Sequence, residues 1–354
     1  MKALLAAALA ASACASFAQT VHLVDVSDPA WAFSEGIGVN SSGQLAIDAD
    51  DQDFNSIAAS WSGGVSHRLN DSGTFTAQVA QMNEGGTIIG SDNGHAVYWT
   101  GTTEHDLGTF GGTYSQGLGI NNLGDMTGGA DTASGQHHAY LYSGGSMIDI
   151  GTLGGNISYG GGINDFGQIA GASEVTPGAH DFRAFVYSNG SMHALANAAG
   201  TFANEATAIS NSGDVAGYGF TASQNADNHA VMWHGGIGTD LGTLGGANSY
   251  ASALNDFQMV VGSSDTATFD EHGFIYFGGA MHDLNDLLDS SGAGYTISGA
   301  FAITDNGYIA ARGDDANGVG HAVLLRVSGV PEPGTMAVLG IGALALLRRR
   351  RRSA

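Results

Sequence analysis

Short alternating runs of apolar and polar residues, each stopped by glycine, asparagine or serine, make up most of the chain. The clearest stretch begins with residues 116–120, a strand-like Gln-Gly-Leu-Gly-Ile, followed by the turn residues Asn121-Asn122-Leu123-Gly124 and a returning run over 125–130. After a polar loop, His138-Ala139-Tyr140-Leu141-Tyr142, a Ser-Gly-Gly turn and residues 146–151 make a second hairpin. Period-two alternation bounded by turn signals predicts strands, so the unit is four antiparallel strands.

The unit recurs. An apolar-Asn-x-x-Gly core stands at Val39-Asn40, Met82-Asn83, Ile120-Asn121 and Ile163-Asn164, with weaker copies at Ile209-Ser210, Leu254-Asn255 and Ile303-Thr304. Successive second positions are 43, 38, 43, 46, 45 and 49 residues apart. A period in the forties that carries strand signals is that of a propeller blade. A lone four-stranded sheet cannot bury both faces, whereas sheets packed radially cover one another. The expected fold is therefore all-β, a seven-bladed β-propeller of four-stranded antiparallel blades spanning residues 19–329.

The ends of this region support the count. The last repeat supplies three strands, ending in the run over 321–328, and no fourth. Residues 21–27, Val-His-Leu-Val-Asp-Val-Ser, match fourth strands such as Ser-Met-Ile-Asp-Ile-Gly-Thr at 146–152. An N-terminal strand completing the last blade closes the ring and removes both open edges.

Histidine often opens the third strand, at His95, His138, His229, His272 and His321, and Asp106, Asp149, Asp240 and Asp283 stand eleven residues after the first four. The two repeats with Ile57 or Arg183 in place of the histidine have Arg68 or Ala194 in place of the aspartate. Ring closure gives His321 its counterpart in Asp25. An odd separation across a two-residue turn predicts residues directly opposite each other, so these are structural His-Asp pairs. One histidine per blade does not converge on a metal ion.

Charge narrows the partners. The chain has 33 acidic and ten basic residues, and six of the basic ones, Lys2 and Arg348 to Arg352, lie at the ends. Residues 3–347 keep only Arg68, Arg183, Arg312 and Arg326 against all 33 acids, a formal charge of −29. Such a field repels nucleic acid and anionic lipid. The single cysteine, Cys14, falls in the leader described below, so the mature chain is expected to have no thiol or disulfide.

Motifs for catalysis are sparse. The sequence shows no nucleophile elbow, zinc-protease helix or phosphate loop. Asp48, Asp50, Asp51 and Asp53 form the densest acidic group, placed in the loop between the second and third strands of the first repeat, and Asp314, Asp315 and Asn317 form a weaker copy. Oxygen ligands at alternating positions suit calcium, although the glycine of an EF-hand loop is missing; a solvated acidic loop is the competing reading. Arg312-Gly313-Asp314 spells an adhesion tripeptide by chance. No cofactor other than calcium is suggested.

The two ends address the chain. Lys2, the apolar residues 3–13 and Ser16-Phe17-Ala18 read as a signal peptide cleaved between Ala18 and Gln19. The alternative, a lipobox ending at Cys14, has Ala11 where leucine is preferred. At the other end, Pro331-Glu332-Pro333 precedes twelve mainly apolar residues, 336–347, and then Arg348, Arg349, Arg350, Arg351 and Arg352. A helix of that length reaches only about 18 Å, short for a permanent span but enough for transient inner-membrane insertion with the arginines inside. This order closely resembles the PEP-CTERM sorting signal. The resemblance implies processing by a membrane exosortase and release to the cell surface or matrix of an exopolysaccharide-producing Gram-negative bacterium.

The repeats have a likeness of their own. Asp106-Leu107-Gly108-Thr109-Phe110-Gly111-Gly112, its copies beginning at Asp149 and Asp240, and segments such as His138-Ala139-Tyr140 resemble the HAF family of extracellular repeats. That likeness implies export and repetition, and no activity. The sequence reading is thus a non-catalytic surface or matrix protein that binds exopolysaccharide or another surface protein, or serves as a spacer. A secreted glycan hydrolase or lyase on the same scaffold is the alternative.

Overall fold

The structure, a computed structural model, describes residues 19–69, 76–198, 200–221 and 227–328. Within them, 28 strands form seven four-stranded antiparallel sheets. Blade 1 starts at Trp31–Val39, blade 2 at Gln78–Met82, blade 3 at Gly111–Ile120, blade 4 at Ser158–Ile163, blade 5 at Thr201–Ile209, blade 6 at Gly245–Leu254 and blade 7 at Tyr295–Ile303. These seven first strands touch one another in a closed circle and so surround the axis. The ring is locked where Val21–Asp25 pairs with Gly320–Val327, Val21 opposite Val327 and Asp25 opposite Val323. A short helix, Leu284–Leu287, between blades 6 and 7 accounts for the longest repeat spacing.

The sheets are held face to face by apolar burial. Nearly all buried apolar residues of the described chain fall into seven clusters, each drawn mainly from two neighbouring blades. Val231 and Trp233 of blade 5 pack with Ala170 and Ala184 of blade 4, for example, while Phe274 of blade 6 packs with Ala216 and Ala230 of blade 5.

Every first strand carries a bulge at one place. The pairing slips between Gly36 and Gly38, Val79 and Gln81, Gly117 and Gly119, Gly160 and Gly162, Ala206 and Ala208, Ala251 and Ala253, and Ala300 and Ala302. The extra residues are Ile37, Ala80, Leu118, Gly161, Thr207, Ser252 and Phe301, and all seven line the axial cavity. A bulge bends the strand and re-aims one side chain, here toward the axis. It also brings a carbonyl close to the second strand: a Cβ on Gly128 would stand 1.9 Å from the Gln116 oxygen, and Gly262 meets Tyr250 in the same way. The recurring glycine of the second strand is therefore a consequence of the bulge.

One sequence expectation is corrected by the strand boundaries. Asp48, Asp50 and Asp51 lie on the strand Leu45–Asp51, and only Asp53 lies in the following turn. Ile47 and Ala49 are buried and alternate with Asp48 and Asp50, the period-two pattern of a strand.

Candidate functional site

The asparagine that marks each repeat joins blades. Asn121 Oδ1 accepts from the N–H groups of Leu123 at 3.0 Å and Asp125 at 2.8 Å, which fixes its own turn. Its Nδ2 crosses to the next blade and donates to the Asn164 carbonyl at 3.0 Å, and Asn164 repeats this to the Ser210 carbonyl at 2.9 Å. The following residues form a second circle. Glu84 accepts from Ser41 N–H at 3.0 Å, Asn122 from Glu84, Asp165 from Asn122, Asn211 from Asp165, Asp256 from Ser212, and Asp305 from Asp256. Asn306 Nδ2 donates to the Ser41 carbonyl at 2.8 Å and closes it. Inside these circles lies an axial cavity of about 260 Å³. Burial and the neighbouring Asp256 and Glu84 carboxylates hold Asp305 above the usual carboxylate range.

The other end of the axis is chemically different. Five residues before each repeat asparagine or its substitute, the first strands of blades 1 to 6 present Glu35, Gln78, Gln116, Tyr159, Glu205 and Tyr250. Glu205 accepts from the hydroxyls of Tyr159, on blade 4, and Tyr218, at 2.7 Å on its own blade. Tyr218 meets Tyr250 of blade 6 edge-on at 5.2 Å, Asn228 Nδ2 donates to the Tyr250 hydroxyl at 2.9 Å, and Phe182 and Phe220 flank the group. All of these are half-buried side chains near the loops that join second and third strands. Burial and the Glu205 carboxylate raise both Tyr159 and Tyr218, so the two phenols stay protonated donors.

Blade 1 holds the carboxyl raised furthest among the described residues. Glu35 and Asp48 are directly paired across the first two strands, and Asp48 Oδ1 accepts from Val79 N–H of blade 2 at 2.7 Å. Burial pushes Asp48 up to about 7, with Glu35 and Asp50 adding to the rise. Burial raises Glu35 too, opposed by the Arg312 guanidinium. Asp51 is committed elsewhere: its Oδ1 accepts from Asp53 N–H at 2.8 Å and Asn55 N–H at 3.0 Å. The four carboxylates considered as calcium candidates do not converge, because Asp48 and Asp51 are on opposite faces of one strand. Among the described residues no trio of His, Cys, Asp or Glu is placed to hold a metal ion. Arg312 is bound to Asp314 at 2.7 Å and lies over Phe33, so the Arg-Gly-Asp tripeptide is part of a sheet.

The structure brings together all five His-Asp pairs. Nδ1 to carboxylate distances are 2.9 Å for His95–Asp106, 2.8 Å for His138–Asp149 and His229–Asp240, 2.6 Å for His272–Asp283, and 3.2 Å for His321–Asp25. They are diagonal neighbours, which corrects the expected direct opposition: Asp149 faces Tyr140, Asp240 faces Val231 and Asp25 faces Val323, two residues past each histidine. Each aspartate's other oxygen accepts from the N–H two residues on, as at Gly108, Gly151, Gly242, Asn285 and Ser27. The pair thus fixes how the chain leaves one blade for the next. Burial raises Asp106, but the bonds from His95 and Gly108 outweigh it and keep its carboxyl below the usual range.

Sequence reasoning missed the partner of this latch. Ser115, Ser158 and Ser249 are fully buried; each hydroxyl accepts from the N–H just after the histidine, at 2.8–2.9 Å, and donates to a glycine carbonyl at 2.6 Å. A constant spacing of 19 residues between Ala96, Ala139 or Ala230 and its serine was the available signal.

The tail decides where this machinery is sent. Residues 329–352 match the PEP-CTERM protein-sorting motif. The PEP-CTERM motif is recognised by an exosortase and indicates an exported protein. Pro331, Glu332, Pro333 and the five arginines lie outside the described residues, as do the leader and Ala18, and Gln19 is the first described residue. Among the described residues no helix is long and apolar enough to cross a membrane.

No curated protein matches the sequence. Among solved structures, this chain is similar to YCF48 from Cyanidioschyzon merolae, with 11% identity over 86% of this chain and 98% of that one and a TM-score of 0.51. A puromycin-hydrolysing peptidase from Mycobacterium tuberculosis matches with 10% identity over 86% of this chain and 54% of that one, also at 0.51. AofleA from Arthrobotrys oligospora matches with 13% identity over 75% and 89%, at 0.43. The likeness is one of fold alone.

Proposed function

We propose that this exported propeller is a non-catalytic, HAF-like component of the cell surface or extracellular matrix that binds exopolysaccharide. The observation that carries the reading is the cluster of Tyr159, Tyr218 and Tyr250 around Glu205. Aromatic faces present flat apolar area at small entropic cost, and the phenols, the Glu205 carboxylate and Asn228 supply donors and acceptors for hydroxyl groups. A net negative body suits a neutral polymer better than a polyanion.

The test is cosedimentation of the propeller, residues 19–328, with exopolysaccharide extracted from the native host. Saturable binding that Tyr250→Ala weakens about tenfold, in a variant that remains folded with a melting temperature lowered by only a few degrees, is the expected result. Absence of saturable binding overturns the reading. A glycan hydrolase or lyase is the second reading, and the Glu35–Asp48 pair favours it, because a buried carboxyl held near neutrality beside another is the pattern of a general acid. Release of reducing ends that Asp48→Asn abolishes would establish that activity in place of simple binding.

A further inference from the structure

Four blades join their second and third strands by the same turn. In blades 1, 3, 6 and 7 the N–H of the last residue of the second strand bonds the carbonyl four residues on, as Asp51 to Asn55, Thr132 to Gln136, Thr266 to Asp270 and Asp315 to Val319. The residue three after that strand end returns a bond to its carbonyl and is forced into the left-handed backbone region. Blades 3 and 7 place Gly135 (φ 80°) and Gly318 (φ 79°) there, the residue for which that conformation is free of strain. Blades 1 and 6 place Phe54 (φ 61°) and Phe269 (φ 68°). A bulky aromatic residue is an outlier in this region.

Phe54 and Phe269 are 81% and 85% exposed as residues, and neither ring stacks on another aromatic ring among the described residues. Gln258, the non-glycine residue at a comparable φ of 61° in a repeat-asparagine turn, is different: its side chain reaches Asp214 at 3.0 Å and His234 at 2.9 Å. Phe54 and Phe269 thus combine backbone strain with rings turned to solvent, on the same end of the propeller as the Tyr159–Tyr218–Tyr250 cluster. They occupy equivalent positions on blades separated only by blade 7.

We propose that Phe54 and Phe269 are two equivalent contact points for one neutral polysaccharide chain, whose repeating sugar rings stack on both; this extends the exopolysaccharide reading and rests on it. Two identical contacts at matching places on a circular scaffold fit a ligand that itself repeats. Each ring has hydroxyl-binding neighbours in its own turn: Asp53 precedes Phe54, and Thr268 Oγ1 and Asp270, bonded to each other at 2.8 Å, flank Phe269. Those carboxylates and the −29 charge of residues 3–347 oppose an anionic polymer or an anionic lipid surface. Two sites on one rigid body gain affinity only from a ligand long enough to reach both.

Replacing both residues by the glycine of the sister blades is a clean test, because it removes the rings and relieves the backbone. The F54G/F269G protein is compared with the wild type for binding to the host's extracted exopolysaccharide and to its size-graded fragments. The melting temperature is expected to be unchanged or raised, while affinity for the long polymer falls at least tenfold and affinity for short fragments changes far less. Unchanged polymer binding by F54G/F269G, together with loss in Tyr250→Ala, overturns the loop-tip contact and leaves the parent reading standing. No binding by the wild type overturns both. Wild-type binding to phosphatidylcholine vesicles that F54G/F269G loses, with polysaccharide binding intact, reassigns the rings to a lipid surface and overturns the proposal.

Discussion

Replacing Asp48 by asparagine is expected to stabilise the propeller, and only above a definite pH. Asp48 sits between blades 1 and 2 with one oxygen on Val79 N–H, opposite Glu35 and near Asp50. Burial and the two acids raise its carboxyl from 3.8 to about 7. A folded-state value above the unfolded one means the native state holds a proton that the unfolded chain has released. Stability from this group is therefore greatest at low pH, falls between about 4 and 7, and stays low above 7. A rise of that size corresponds to roughly 4 kcal/mol of destabilisation at pH 8.

Asparagine keeps the shape and the acceptor for Val79 N–H but carries no charge. The variant should equal the wild type near pH 4 and exceed it by several kcal/mol at pH 8. For a domain of this size that gain is a rise in melting temperature on the order of 5–10 °C. Urea midpoints and melting temperatures of both proteins, measured from pH 4 to pH 8, give the comparison. The other titrating groups are common to both and cancel in the difference. A stability gap independent of pH, or a variant weaker than the wild type at pH 8, would refute the reasoning.

Other expectations follow from the geometry. Gly128→Ala drives a Cβ to 1.9 Å from the Gln116 oxygen and should cost about 3 kcal/mol or more, read as a lowered urea midpoint, whereas alanine at the exposed Gly144 has nothing within 4 Å and is strained only by its φ of 59°. Ser158→Ala strips the partner from the buried Ala139 N–H and the Gly151 carbonyl, and a loss of about 2–3 kcal/mol is expected by the same assay. His138→Ala should lower stability by about 1 kcal/mol without altering polysaccharide binding, because its bond holds the outer hairpin of blade 3 and not the axis. Replacing Pro331-Glu332-Pro333 by alanines should leave the exported protein retained with the membrane fraction, read by immunoblot of cell fractions.

The sequence by itself determined the architecture. Alternation such as that of residues 116–130 is a local consequence of strands with one face against a neighbour, and repetition turned that local signal into a blade count. The match of residues 21–27 to fourth strands carried the ring closure, since an unpaired edge has to be covered. The sorting tail was equally legible, because it is a linear motif read by another protein.

Tertiary structure alone decided what the repeated residues do. The repeat asparagines bond to the neighbouring blade, a relation that no single repeat contains. The His-Asp residues were found by spacing, but the diagonal offset depends on where the Gly-Gly turn sets the register. In the sequence the acidity of Asp48 masks its alternation with Ile47 and Ala49 and reads as a loop; its raised carboxyl follows from burial between blades. Tyr159, Glu205 and Tyr250 share one position in three repeats yet differ in type, so no motif marks them. Radial packing of the blades makes them neighbours, and the local turn that strains Phe54 and Phe269 becomes informative only beside the glycines of the sister blades.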